Sequence, residues 1–96
     1  MRVVLDGNRV TSEHDFHREL AALLDFGPYY GANLDALWDR LSVDVERPVH
    51  LRWTASGTSR AAMGPLRFDR IVQILLKAVE QDADSNRVDR FTYELG

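Results

Sequence analysis

Three short stretches alternate apolar and polar residues, and the segments between them repeat apolar residues at helical spacing. Arg2 to Asp6 puts Val3 and Leu5 on one face and is predicted as a first strand, less clean than the others because Val4 is also apolar; Gly7-Asn8 turns the chain. Ser12-Glu13-His14-Asp15 resembles a capping box. Phe16, Leu20, Leu23 and Leu24 recur at helical spacing behind it, and Gly27-Pro28 is predicted to stop that helix. Asn33 is a good N-cap for a second helix, in which Leu34, Leu37, Trp38 and Leu41 form one apolar stripe at i, i+3, i+4 and i+7. Pro48 opens a second strand, where Val49, Leu51 and Trp53 alternate with His50, Arg52 and Thr54. Thr58 to Met63 is predicted as a short helix. Gly64-Pro65 separates it from a longer one carrying Phe68, Ile71, Val72, Leu75, Leu76 and Val79. Asp82 to Asn86 reads as a polar turn before a last strand that alternates Phe91, Tyr93 and Leu95 with Arg90, Thr92 and Glu94.

The connections between strands are long and helical, which suits crossovers in a parallel sheet. Parallel sheets are usually covered on both faces. Strands with one apolar and one polar face instead predict two layers: an α/β fold with helices on one side of the sheet and water on the other.

Composition narrows the class. With 96 residues, 45% of them hydrophobic, the chain is expected to form one domain over residues 1–96 with a modest core. It has no cysteine, so a disulfide framework or thiolate metal site is excluded. Met1-Arg2-Val3-Val4-Leu5-Asp6-Gly7 meets charge and glycine too early for a signal peptide. The longest apolar run, Ile74-Leu75-Leu76, is too short to span a membrane. These features fit a cytoplasmic protein. The basic residues are 11 Arg and one Lys, Lys77, a skew of the kind a GC-rich bacterial genome produces.

Charge distribution changes the picture more. Residues 29–46 hold Asp35, Asp39, Asp44 and Glu46 against Arg40 alone, which accounts for the whole net charge of −3; elsewhere 11 acidic and 11 basic residues cancel. A nucleic-acid binder shows a basic patch. This chain shows the reverse, so its expected partner is itself basic and is not nucleic acid; no membrane or small-molecule partner is expected either.

Within that region Tyr29-Tyr30-Gly31-Ala32-Asn33-Leu34-Asp35-Ala36-Leu37-Trp38-Asp39 stands out. Asp35 and Asp39 are four apart on one helix, a like-charge spacing that costs roughly 0.2–0.5 kcal/mol. Asp35 regains something from the helix dipole in the first turn, whereas Asp39 does not. Arg40 points elsewhere, with Asp44 as its natural helical partner. Folding gives no reason for the Asp35–Asp39 pair. Paired aspartates on a short helix are ordinarily its solvated face, and tyrosines and tryptophans ordinarily cover core; against that stands the concentration of all three beside one loop, where exposed aromatics are candidate anchors.

The same residues carry a family resemblance. Tyr29-Tyr30-Gly31-x-Asn33-Leu34-Asp35-Ala36-Leu37-Trp38-Asp39 resembles the signature of the barstar family, intracellular inhibitors of secreted guanyl-specific microbial ribonucleases. The opening strand with Gly7, the Ser12 helix start with Asp15 and His17, and Leu41, Pro48, Leu51 and Trp53 also resemble the family pattern; residues 54–66 show little similarity. The resemblance implies a two-layer barstar-like fold, a three-stranded parallel sheet packed against three to four helices on one face. It implies a 1:1 complex with such a ribonuclease, no cofactor and no catalytic residue. Asp39 is implied to enter the site that holds the RNA phosphate and to accept charge-assisted bonds from its arginines and histidine. Asp35 reinforces the acidic face, Tyr29 packs on the catalytic histidine, Gly31 lets the loop approach closely, and Asn33 caps the helix and touches the partner. Tyr30, Leu34 and Trp38 complete the motif's contact set, with Asp44 and Glu46 beyond it. The family pattern carries a tryptophan where this chain has Asp44. On the last helix, where the family adds acidic contacts, Lys77 and Gln81 flank Glu80. The core of the binding mode is retained while its periphery differs, which points to a different ribonuclease from the one the family is named for.

Two rival readings have other signatures. An enzyme using Asp35 and Asp39 as an acid/base pair needs a pocket to separate their pKa values, which one face of a short helix does not supply. His14 and His17, at i, i+3, suggest a metal only if they have further ligands; surface histidines are the commoner explanation. No Gly-rich phosphate loop, G-x-S-x-G or H-E-x-x-H is present. The second rival is an immunity or adaptor protein for a different basic toxin or enzyme.

Overall fold

A computed structural model describes residues 1–96. Strands β1 (Arg2–Asp6), β2 (Val49–Thr54) and β3 (Phe91–Leu95) form one parallel sheet in the order β1-β2-β3. Val3 lies opposite Leu51 and Leu51 opposite Tyr93, while Leu5, Trp53 and Leu95 form the next row. The inward residues of β1 and β2 are buried, as in the two-layer reading, whereas in β3 only Phe91 is buried: Tyr93 is partly covered and Leu95, expected on the apolar face, is 43% exposed at the end of the strand. Val4, the residue that blurred the first strand, lies on the open face and is exposed. His50 on that face bridges the Thr92 hydroxyl at 2.8 Å and Glu94 at 3.3 Å, a cross-strand contact between β2 and β3.

Helix α1 (Glu13–Leu24) starts where Ser12 Oγ accepts from the Asp15 amide at 3.0 Å. The return arm of the capping box goes one residue further out: Asp15 accepts from the Thr11 amide at 3.0 Å and the Thr11 hydroxyl at 2.7 Å. The Thr11 bonds, followed by the charge of Arg18, hold the Asp15 carboxyl below the usual range. Two sequence expectations are corrected here. The helix ends not at Gly27-Pro28 but at Asp25, which takes the left-handed conformation (φ 54°). Leu23 is 37% exposed, and His17 rather than Leu23 is buried in the core with Phe16 and Leu20.

Helix α2 (Leu34–Asp39) continues directly into π-helical turns over Arg40–Asp44. Helix α3 (Ser56–Met63) starts two residues earlier than predicted, after Ala55 at φ 49°. It closes on the turn after β1: Trp53 Nε1 donates to Ser59 Oγ at 3.1 Å, and Ser59 Oγ donates to the Gly7 carbonyl at 2.9 Å. A Cβ on Gly7 would lie 2.2 Å from the Thr54 carbonyl, so only glycine fits there. Helix α4 (Pro65–Asp84) begins with Pro65 in its first turn. It absorbs the start of the predicted polar turn, and Asp82 is buried in its last turn. Phe16, Trp53 and Phe68 stack in the centre of the core, with ring centroids 5.1 Å apart on each side of Trp53. No helix is long and apolar enough to cross a membrane.

Candidate functional site: an acidic helix face and its tyrosine loop

Asn33 builds the start of α2. Its Oδ1 accepts from the Ala36 amide at 2.8 Å, and its Nδ2 reaches back to the Gly31 carbonyl at 3.4 Å. Ala32 between them sits at φ 52°, a strained conformation for a residue with a Cβ. A Cβ on Gly31 would lie 3.3 Å from Asn33 Nδ2 and 3.4 Å from the Ala36 side chain, so the capped loop leaves little room for one.

The stripe then divides the helix. Leu37 and Leu41 are fully buried; Leu34 and Trp38 pack against the core from its edge. Asp35 and Asp39 are exposed on the other side. Neither carboxylate takes part in an ion pair or a side-chain hydrogen bond within the chain. Arg40 instead meets Asp44 at 3.1 Å, as its spacing predicted.

The helix expected to run through residues 33–43 changes type at Arg40. The Val45 amide donates to the Arg40 carbonyl at 3.0 Å, five residues back. Wide turns of this kind recur at functional sites and leave carbonyls without their usual helical donors. Here Arg47 supplies donors: its guanidinium bonds the Leu41 and Val45 carbonyls and both oxygens of Asp82, at 2.9 and 3.2 Å. Asp82 also accepts from the Phe91 amide at 2.7 Å. The two side chains are 2% and 0% exposed. Burial alone would raise the Asp82 carboxyl; the hydrogen bonds from Arg47 and Phe91 and the charges of Arg47 and Arg87 outweigh it and hold the group below its ordinary range. This clasp fixes the end of the acidic segment to the end of α4 and the start of β3. The wide turns also leave Val43 78% exposed.

The two tyrosines part ways. Tyr29 is 91% exposed. Tyr30 is half-buried, its ring against Phe26 at 4.8 Å and its hydroxyl 2.6 Å from His17 Nδ1. His17 is 1% exposed, and its Nε2 lies 3.1 Å from Glu13. With Nε2 protonated, the ring donates to Glu13 and accepts from the Tyr30 hydroxyl, so both nitrogens are satisfied. Burial, and then the charge of Glu13, push the Tyr30 phenol up, partly offset by Arg40, and keep it a neutral donor. The expectation of a surface histidine is therefore corrected for His17: it is a buried strut under the loop. No group of three metal-binding side chains is brought together around it or elsewhere.

Trp38 borders α4. Lys77 lies 4.2 Å above its ring, and a shallow cavity beside them is lined by Glu80. Asp44 and Glu46, both exposed, border a second cavity with Arg40, Asp25 and Phe26. Of the residues singled out in the sequence, Tyr29, Gly31, Asn33, Asp35 and Asp39 thus form an exposed loop and helix face. Leu34, Trp38 and Tyr30 support it from the core side. Asp44 and Glu46 flank it at one cavity and Glu80 at the other. Sequence reasoning missed Val43, Arg47 and Asp82, and did not find the support His17 gives. The one available signal was the i, i+4 spacing of Glu13 and His17; Arg47 and Asp82 are 35 residues apart.

The fold and the site together define a two-layer α/β protein with an exposed acidic helix face and an exposed aromatic residue on the loop before it. The chain belongs to the barstar family: the family described as "Barstar (barnase inhibitor)" matches residues 1–94. It is also similar to a protein of Bacillus subtilis (strain 168) named "Putative ribonuclease inhibitor YrdF", with 31% identity over 87 residues, 91% of this chain and 94% of that one.

Proposed function

We propose that the protein inhibits a small secreted guanyl-specific microbial ribonuclease by forming a 1:1 complex that blocks its active site. The observation that carries this reading is the Asp35–Asp39 face, two exposed carboxylates on one helix with no cation of their own. A site that binds RNA phosphate holds its cations ready for an anion, and a carboxylate aimed into it takes up their hydrogen bonds. Asp39, a full turn inside the helix, is the phosphate mimic, and Asp35 adds to the field. Tyr29 supplies an aromatic anchor, while Gly31 and Asn33 bring the loop backbone close. Trp38, Leu34 and Tyr30 hold the surface rigid, so little conformational entropy is lost on binding. Membership of the barstar family and the name of the Bacillus relative support this reading. The protein acts as an inhibitor, not as an enzyme, and acts in the cytoplasm, where such an inhibitor guards the cell that makes the ribonuclease.

Titration into a panel of small guanyl-specific ribonucleases, with RNA cleavage followed by fluorescence, tests the proposal. Loss of activity with an equivalence point at one inhibitor per enzyme is expected for at least one member. Full activity of every member at micromolar inhibitor would exclude it.

A further inference from the structure

A cavity of about 280 Å³ lies where the end of α1 and the loop after it meet the π-helical turns. Leu24, Phe26 and Val45 give it apolar walls, and Phe26 and Val45 are buried members of the core. Its polar lining is Asp25, Arg40, Asp44 and Glu46, and Met1 closes it, with the terminal ammonium turned to the Pro48 carbonyl at 2.9 Å. Arg40 is engaged by Asp44 at 3.1 Å, whereas Asp25 and Glu46 have neither an ion pair nor a side-chain hydrogen bond. The site therefore combines apolar walls with two exposed carboxylates that no cation of the chain contacts.

Size and chemistry select the occupant. The volume is several times the roughly 30 Å³ of one water and falls just short of the roughly 300–1,000 Å³ of small-molecule pockets. It suits one long side chain. Lysine and arginine have an apolar stem for the walls and a cation for the carboxylates. The position is continuous with the acidic face: Asp25 and Phe26 lead into the loop that carries Tyr29, and Arg40 follows Asp39 directly.

We infer that this cavity is a second anchor of the complex, taking one lysine or arginine side chain that the ribonuclease presents outside its active site. The inference rests on the reading of the acidic face given above. It makes Asp25 and Glu46 specificity residues, because a ribonuclease lacking a basic side chain at that position would leave both carboxylates facing an empty or apolar surface.

The test uses a ribonuclease that the parent protein inhibits. Asp25→Asn with Glu46→Gln should raise Kd tenfold or more, chiefly through the off-rate, with an unchanged urea midpoint. Leu24→Trp, which fills the cavity without altering charge, should weaken binding to a similar degree. Asp69→Asn with Asp89→Asn removes the same charge at exposed positions away from the cavity and should lower only the on-rate, by less than threefold. Kd within twofold of the parent for both cavity variants, while Asp39→Ala loses binding, would overturn the second anchor and leave the inhibitor reading standing. Unchanged binding for Asp39→Ala as well, or a parent that inhibits no ribonuclease of the panel, would overturn both.

Discussion

At the residue scale, exposure and partners separate binding from support. Asp39 is exposed and unpaired, so Asp39→Ala should leave the free protein as stable as the parent. Any change should be a gain, of no more than the roughly 0.2–0.5 kcal/mol of relieved repulsion with Asp35 and the better helix propensity of alanine. The same change should weaken binding by at least about 2 kcal/mol, because the enzyme's cations would be left buried and unpaired. Urea denaturation paired with inhibition titration checks both halves. The two tyrosines should behave oppositely. Tyr30→Phe leaves the buried His17 Nδ1 without its donor and should cost about 1–3 kcal/mol of stability. Tyr29→Phe should not shift the urea midpoint, since that ring is 91% exposed. The sequence showed the carboxylate pair and the Asn33 cap because both depend on neighbours three or four residues away. It could not show that Tyr30 rather than Tyr29 is the buried ring: that is decided by His17, 13 residues earlier.

At the element scale, the acidic segment is held by its ends. Asn33 starts it, and the Arg47–Asp82 clasp finishes it. Removing one partner of a buried ion pair leaves an uncompensated charge, so Arg47→Ala should cost about 3–5 kcal/mol, measured by urea denaturation. The clasp also predicts a pH dependence. Because the Asp82 carboxyl is held below its ordinary value in the folded state, its contribution is fully present above the unfolded carboxylate range, about pH 4. It is lost as pH falls further, through the folded value. The urea midpoint of the parent should therefore drop below about pH 4 more steeply than that of Asp82→Asn, if equal slopes at pH 7 show that both unfold alike. Here the sequence was only partly legible. The stripe of Leu34, Leu37, Trp38 and Leu41 located the helix, but an apolar repeat does not distinguish α from π turns, so the change at Arg40 and the exposure of Val43 were hidden. Polar character likewise assigned Asp82 to a turn, because its burial depends on a guanidinium from another element.

At the scale of the whole molecule, the fold was legible to the extent that hydrophobic patterning determines it. Strict alternation in β2, with long helical connections on either side, was enough to indicate a parallel sheet with one open face. The exact ends of α1 and α3 were not, since both depend on single residues, Asp25 and Ala55, adopting left-handed conformations that glycine would have announced. The concentration of the net charge in residues 29–46 has a kinetic consequence. The Debye length falls from about 30 Å at 0.01 M salt to about 10 Å at 0.1 M. The stopped-flow on-rate for the cognate ribonuclease should fall steeply over that range while the off-rate changes little; an on-rate indifferent to salt would contradict the role given to this face. The proposed inhibition requires more than attraction: the acidic face must occupy the place of the RNA phosphate. Competition with guanosine 3′-monophosphate measures this directly. The apparent Kd for the inhibited ribonuclease should rise in proportion to nucleotide concentration once the nucleotide's own Kd is exceeded, and Asp39→Ala should flatten this dependence. A Kd unchanged at saturating nucleotide would mean that the two ligands bind together, and that the helix does not enter the active site.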